Sequence, residues 1–183
     1  HAICRLAKEA DSRIITVLGG AHPTAVPEET LMDKDVDFVI MGEGEEVLKQ
    51  LAGRLDKSGG YEDIEGIGFR CNGQAKINRR TNYSEDLDKI PFPRWNIFPL
   101  DRYFEINNPH GASVRRVPFL PVITSRGCPY NCSYCFNHQL KQMYAGQRYV
   151  RRRSVDNIIE EIKEVADYYP LTRVHLEDDT FII

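Results

Sequence analysis

Three cysteines within eight residues, in the run Cys128-Pro-Tyr-Asn-Cys132-Ser-Tyr-Cys135, constrain this chain more than any other feature. They follow an apolar stretch, Phe119 to Thr124, through the glycine-marked step Ser125-Arg126-Gly127. Side chains three and four residues apart can turn to one side of a tight loop, so the spacing suits thiolates that share a metal centre. A 4Fe-4S cluster normally takes four cysteines, and here there are three. The trio therefore points to a cluster with one iron left open to a ligand that is not protein.

Other uses of the trio stay open. A structural zinc needs a fourth ligand, and His138 in Cys135-Phe-Asn-His138 stands at a suitable spacing. Disulfides fit less well, since five cysteines are an odd number, three crowd one loop, and the first residues do not resemble a signal peptide. These features suit a reducing compartment, so a cytoplasmic location is expected. Cys4, on a predicted helix, and Cys71, beside a predicted hairpin turn, read as ordinary structural residues.

The 183 residues are 42% hydrophobic, enough for a core, and carry a formal net charge of -3. That balance predicts no general affinity for nucleic acid or membrane surfaces. No apolar run approaches the roughly 20 residues that a transmembrane helix needs. The basic cluster of Arg148, Arg151, Arg152 and Arg153 reads as a solvated approach to a helix rather than a phosphate site. Both ends read as cut. His1 is not an initiator, a helical pattern of Ala2, Ile3, Leu6, Ala7 and Ala10 begins at once, and the chain stops in Phe181-Ile182-Ile183. An internal fragment, inactive by itself, is the expectation.

The first 57 residues alternate helix and strand. Arg13 to Leu18 is β-branched and apolar and ends at Gly19-Gly20; Pro27 with Glu28 and Glu29 opens a short helix. Val36 to Met41 forms a second strand that runs into Gly42-Glu43-Gly44-Glu45-Glu46, then a helix with Val47, Leu48, Leu51 and Leu55 inward. Apolar strands alternating with helices predict a parallel sheet covered on both faces. Ligands of such sheets bind at the carboxyl ends of the strands, where both glycine pairs fall. Each pair alone is equally what a strand-to-helix turn requires. His22, held before Pro23, reads as structural rather than a metal ligand.

Ile64 to Arg70 and Gln74 to Asn78 read as a hairpin about Asn72-Gly73. Leu87 to Tyr103 is dense in proline and aromatics, too apolar for a free linker, and should strap across both domains. From Phe119 the pattern is strand, cysteine loop, helix, strand. Ser154 caps a helix carrying Val155, Ile158, Ile159, Ile162, Val165, Ala166 and Tyr169 at helical spacing, and Pro170 ends it. Arg173 to Leu176 then delivers Glu177, Asp178 and Asp179 to its carboxyl end. This is the opening of a parallel β/α barrel, whose functional groups gather at the C-terminal face.

The CxxxCxxC loop resembles the signature of the radical S-adenosylmethionine (radical SAM) superfamily, in which the amino and carboxylate groups of S-adenosylmethionine chelate the open iron. Leu18-Gly19-Gly20-Ala21-His22-Pro23, Met41-Gly42-Glu43-Gly44-Glu45 and the hairpin followed by Pro91-Phe92-Pro93-Arg94-Trp95 are similar to the class whose barrel follows a cobalamin (B12)-binding domain. The resemblance implies an α/β chain holding the C-terminal half of a Rossmann-like cobalamin-binding domain and the start of a radical SAM β/α (TIM-like) barrel. Its segments are 1–60, a hairpin and connecting strap over 61–117, and the barrel start over 118–183.

It further implies cluster ligation by Cys128, Cys132 and Cys135 and adenine contact at Tyr134, for which a core aromatic is the plain alternative. Cobalamin would lie beside Gly19, Gly20, Gly42, Glu43 and Gly44. Glu177, Asp178 and Asp179 resemble an acidic strand-end motif lining the cofactor site, or else cap an exposed helix approach. The implied activity is reductive cleavage of S-adenosylmethionine to a 5'-deoxyadenosyl radical. It serves methyl transfer or ring formation on a small-molecule, lipid, tetrapyrrole or natural-product substrate, with a flavodoxin or ferredoxin type electron donor. Two alternatives remain. A radical SAM methylthiotransferase needs three more cysteines in its N-terminal domain, where only Cys4 and Cys71 stand. A non-catalytic zinc-stabilised binding module is the other.

Overall fold

The structure, a computed structural model, describes residues 1–57, 59–106 and 118–181. Part of the predicted connecting strap, and Ile182 and Ile183 of the apolar end, lie outside the described residues. The chain forms two compact units, one from His1–Tyr83 with His138–Gln147 and the other from Ser84–Asn137 with Arg148–Ile183.

In the first unit a four-stranded sheet runs in the order β1 (Val17–Leu18), β2 (Phe38–Ile40), β3 (Ile67–Cys71), β4 (Gln74–Ile77). The run around β2 is apolar throughout because it is buried on both faces. Phe38 and Ile40 join Val47, Leu51, Ile64, Ile67 and Phe69, while Val36 and Val39 join Cys4 and Leu31 on the other side. Helix α1 (Ala2–Ala10) covers that second side; α2 (Ala21–Ala25) and α3 (Pro27–Thr30) follow β1, and α4 (Glu45–Asp56) packs through Val47 and Leu51.

Several expectations are corrected here. The sheet is mixed: β1 and β2 are parallel, but β3 pairs antiparallel with β2, so the hairpin extends the sheet. Asn72 at φ 52° and Gly73 at φ 79° make the tight turn that the Asn-Gly pair predicts. The first strand is short, because Asp11 accepts hydrogen bonds from the backbone and guanidinium of Arg13 and holds a turn there. Sheet pairing starts only beyond Thr16, whose N–H donates to Asp37 at 2.8 Å. Ile3 is 82% and Leu6 58% exposed, since α1 turns Cys4 inward and sets Lys8, one turn on, against Asp37 at 2.6 Å. Leu48, expected inward, is 49% exposed on the rim of α4.

The second unit pairs β5 (Phe119–Val122) with β8 (Arg173–Leu176) in parallel, joined through α7 (Val155–Ala166). Pro121 is accommodated because β5 pairs with β8 alone among the described strands. Ser154 caps α7 by accepting from Asn157 N–H at 3.2 Å. The core contains Leu120, Val122 and Val165, with Ile158, Ile162 and Tyr169 of the predicted stripe against it. Two parallel strands and one crossover helix are a barrel's repeating step, and the described residues hold no closed barrel.

The proline-rich segment belongs to this second unit. Leu100 of α5 (Leu100–Ile106), Trp95 and Phe104 pack into the core, and Trp95 Nε1–H donates to Glu161 Oε1 at 3.1 Å. Glu161, 2% exposed, also takes the Arg153 guanidinium at 2.5 Å. Arg151 is likewise 2% exposed and donates to the Ser84 carbonyl. The solvated reading of the basic cluster therefore fails at Arg151 and Arg153, whose charges are committed to internal partners.

Candidate functional site

The cysteine loop hangs from a short step beyond β5. There β6 (Ser125–Arg126) pairs antiparallel with β7 (Arg151–Arg152). Asp178, just past the end of β8, fixes that step with its carboxylate. Thr124 donates its N–H to Oδ1 at 2.8 Å and its hydroxyl to Oδ2 at 2.7 Å. Ser125 donates its N–H at 2.5 Å and its hydroxyl at 2.9 Å, both to Oδ1. Two backbone and two hydroxyl donors on one carboxylate make a rigid strand end three residues before Cys128.

Gly127 then turns the chain at φ 85°. Cys128 is buried, Cys132 exposed and Cys135 between the two, and all three are free thiols. Cys135 N–H donates to the Cys132 carbonyl at 3.0 Å, which closes the second half of the loop. Among the described residues no three His, Cys, Asp or Glu side chains are gathered to hold a metal ion. Three sulfur donors on one loop suit an iron-sulfur cluster, whose cysteines each bind a different iron and need not meet at one point.

Two of the sulfurs have polar side-chain partners from outside the Cys128–Cys135 run. Cys128 Sγ lies 3.1 Å from Thr180 Oγ1, and Asn137 Nδ2, at the start of α6 (Asn137–Met143), donates to Cys135 Sγ at 3.7 Å. Tyr149 O–H donates to Asn137 Oδ1 at 2.6 Å. Burial, then the charges of Asp179, Cys128 and Cys135, push the Tyr149 phenol up to about 12, so it keeps its proton. Tyr134 is 91% exposed beside the loop, which removes the core-aromatic alternative. The charge of Cys132 and its hydrogen bond, followed by the charge of Cys135, raise the Tyr134 phenol above its ordinary value.

Of the acidic residues after β8, the structure separates the roles. Glu177 Oε1 is 2.7 Å from His175 Nδ1 at the exposed strand end, Asp178 is taken up by the step before the cysteine loop, and the charge of Asp179 acts on the Tyr149 phenol. Asn137, Tyr149 and Thr180 escaped the sequence reading. Asn137 stands two residues after a cysteine and Thr180 directly after the acidic motif, but nothing in their type marks them; Tyr149 is distant in sequence.

The glycine turns belong to the first unit. Gly20 opens α2 at φ 98°, and Gly19 beside it is exposed. Gly42, at φ 67°, lies under Tyr83, whose hydroxyl a methyl group there would meet at 3.2 Å. Tyr83 stacks on Tyr144 at 3.8 Å, and Tyr144 O–H donates to Glu43 Oε1 at 2.7 Å. Arg80 donates to the Glu43 carbonyl and lies over the Tyr83 ring. Gly44 is the residue preceding α4. Gly42 and Glu43 are thus bound into this unit's packing, whereas Gly19 is free of such demands. Cys4 is buried in the core and Cys71 is exposed at the hairpin turn, so neither joins a second cysteine group.

Residues 1–52 match the family model of the B12 binding domain, and residues 122–182 that of the radical SAM superfamily. The chain belongs to the radical SAM superfamily, in the class with a B12-binding domain. It is 31% identical to an uncharacterized methyltransferase of Pyrococcus horikoshii, across 100% of this chain and 37% of that protein. With an anaerobic magnesium-protoporphyrin IX monomethyl ester cyclase of Rubrivivax gelatinosus it shares 28% identity over 96% of this chain and 30% of the cyclase.

The solved radical SAM methyltransferase TsrM of Kitasatospora setae, with cobalamin and a 4Fe-4S cluster bound, has the same fold. Its TM-score is 0.63 at 16% identity, covering 97% of this chain and 33% of that one. The chain thus spans about a third of the length of the curated relatives it matches. No described helix is long and apolar enough to cross a membrane.

Proposed function

We propose that this radical SAM chain holds the cluster and part of the cobalamin site of an enzyme that transfers a methyl group to, or closes a ring on, a small-molecule or tetrapyrrole substrate. The observation that carries the reading is the cysteine loop itself, three free thiols on a strand end braced by Asp178, within the segment that matches the superfamily. Cys128, Cys132 and Cys135 hold the cluster by their thiolates. A bound cluster would supply one electron to the sulfonium of S-adenosylmethionine, yielding methionine and a 5'-deoxyadenosyl radical, while bound cobalamin would supply a methyl-carrying cobalt.

The chain's own work is positioning. Tyr134, exposed between two of the cysteines, offers its backbone and ring to the adenine. Glu177, exposed at the end of β8 and oriented by His175, is the acidic group turned toward S-adenosylmethionine. Asp178 serves the same site by fixing the loop. Gly19 and Gly20 admit the cobalamin tail, and Gly42, Glu43 and Gly44 shape the neighbouring turn. An electron donor of the flavodoxin or ferredoxin type completes the system in the cytoplasm.

Anaerobic reconstitution of the full-length protein tests this. About four irons and four sulfides per chain, lost in Cys132→Ala, are expected. S-adenosylmethionine should change the electron paramagnetic resonance of the reduced cluster and be cleaved to 5'-deoxyadenosine. Stoichiometric zinc without acid-labile sulfide would sink the reading.

A further inference from the structure

We infer that Thr180 and Asn137 are hydrogen-bond donors to the cluster-binding sulfurs, set to raise the cluster's reduction potential, an assignment that rests on the cluster reading above. Thr180 Oγ1 stands 3.1 Å from Cys128 Sγ. In the free thiol either atom can donate, but once the sulfur binds iron as a thiolate the hydroxyl holds the only proton between them. Asn137 Nδ2 stands 3.7 Å from Cys135 Sγ, a longer contact to the large sulfur atom.

The amide is oriented rather than free to flip. Tyr149 O–H donates to Asn137 Oδ1 at 2.6 Å, and only this orientation of the amide sets a donor rather than an oxygen lone pair against a thiolate at Cys135. Tyr149 is 8% exposed and its own backbone carbonyl lies against Gly127, so the chain Tyr149, Asn137, Cys135 is anchored at the base of the loop. A donor to a thiolate withdraws charge from the iron-sulfur unit. It therefore favours the reduced form, which carries one more negative charge, and shifts the potential upward. Both donors are only part-exposed, which preserves the effect against water.

The arrangement is unequal across the trio. Cys128 and Cys135 have these partners from outside the loop, while Cys132 is exposed and its hydrogen bond is to Tyr134 within the loop. Thr180 comes directly after the acidic strand-end motif, so the crossover that brings β8 beside β5 also delivers the donor.

The test is a redox titration of the reconstituted full-length protein, followed by electron paramagnetic resonance, with iron and sulfide measured on each sample. Thr180→Val, of nearly the same shape, should keep a full cluster and show a more negative midpoint. Thr180→Ser should return it to the unsubstituted value. Asn137→Leu should also move it negative, and Tyr149→Phe in the same direction by less. The iron–cysteine stretching bands in resonance Raman should shift in the Val and Leu variants. Full clusters with unmoved midpoints and bands would overturn this inference alone, as would a Ser variant that falls as far as Val. Absence of a cluster in the unsubstituted protein would remove both this inference and the reading beneath it.

Discussion

Gly127 lies so close to Tyr149 that a methyl group on its α-carbon would meet the Tyr149 carbonyl oxygen at 2.5 Å. The contact is to backbone, which cannot rotate away, and the residue also sits at φ 85°. The glycine before Cys128 is therefore required twice, by conformation and by the close approach of the 149 segment. Gly127→Ala should cost roughly 1–3 kcal/mol from the backbone conformation, before the overlap is relieved. Thermal unfolding and iron content after reconstitution should both fall. An alanine variant with an unchanged midpoint and a full cluster would refute the constraint.

Asp178 gives the second prediction. Asp178→Asn keeps the shape but sets an N–H₂ against one or more of its four donors, and about 2 kcal/mol of stability should be lost. Asp178→Ala should lose more and carry less iron. If instead Asp178→Asn unfolded normally, held its cluster and failed to bind S-adenosylmethionine, the residue would belong to the cofactor rather than to the strand end.

Much of this was legible before any coordinates. The helix over Val155–Ala166, its Ser154 cap and the strand over Arg173–Leu176 stand where the apolar spacing and Pro170 put them, because local capping and periodicity decide them. The helix over Ala2–Ala10 also stands where its spacing puts it, but that spacing shows which residues share a stripe and not which stripe meets the sheet. The buried Arg151 and the Arg153–Glu161 pair were illegible for the same reason; a charge run looks solvated until its distant partners are brought in. Of the site, the three thiols proposed to hold the cluster are local in sequence, so their spacing is visible there. Their neighbours Thr180 and Tyr149 arrive through strand pairing, which spacing alone does not encode.

A third prediction concerns acid stability in the first unit. Burial of Asp37 alone would raise its pKa, but hydrogen bonds from Lys8 and from the Thr16 backbone and hydroxyl outweigh it and hold the carboxyl below its ordinary 3.8. As pH falls, the unfolded chain protonates this group near its ordinary value and the folded chain only lower. Across that interval the unfolded state binds more protons, so stability rises with pH. The contribution is fully present above the ordinary value and is lost as pH falls through the folded one. Asp37→Asn should lower stability at neutral pH and flatten its acid limb in that interval, measured by denaturant unfolding at several pH values. An acid limb of unchanged slope would contradict it.

Gly19 supplies the test of the proposed cobalamin contact that is least confounded by folding. Gly20, at φ 98°, and Gly42, at φ 67° beneath Tyr83, would be strained by any side chain, so loss of cofactor in their variants would not separate binding from damage. A Cβ on Gly19 would meet only Ile40, at 3.8 Å from its carbonyl oxygen and 4.0 Å from its Cβ, which is ordinary contact. Gly19→Ala in the full-length protein should therefore unfold at nearly the same temperature as the unsubstituted protein and keep its iron. If the cofactor tail approaches the backbone there, the added methyl group stands in its path, and cobalamin retained after gel filtration should fall several-fold. Equal retention by the two proteins would show that Gly19 serves the strand-to-helix turn alone.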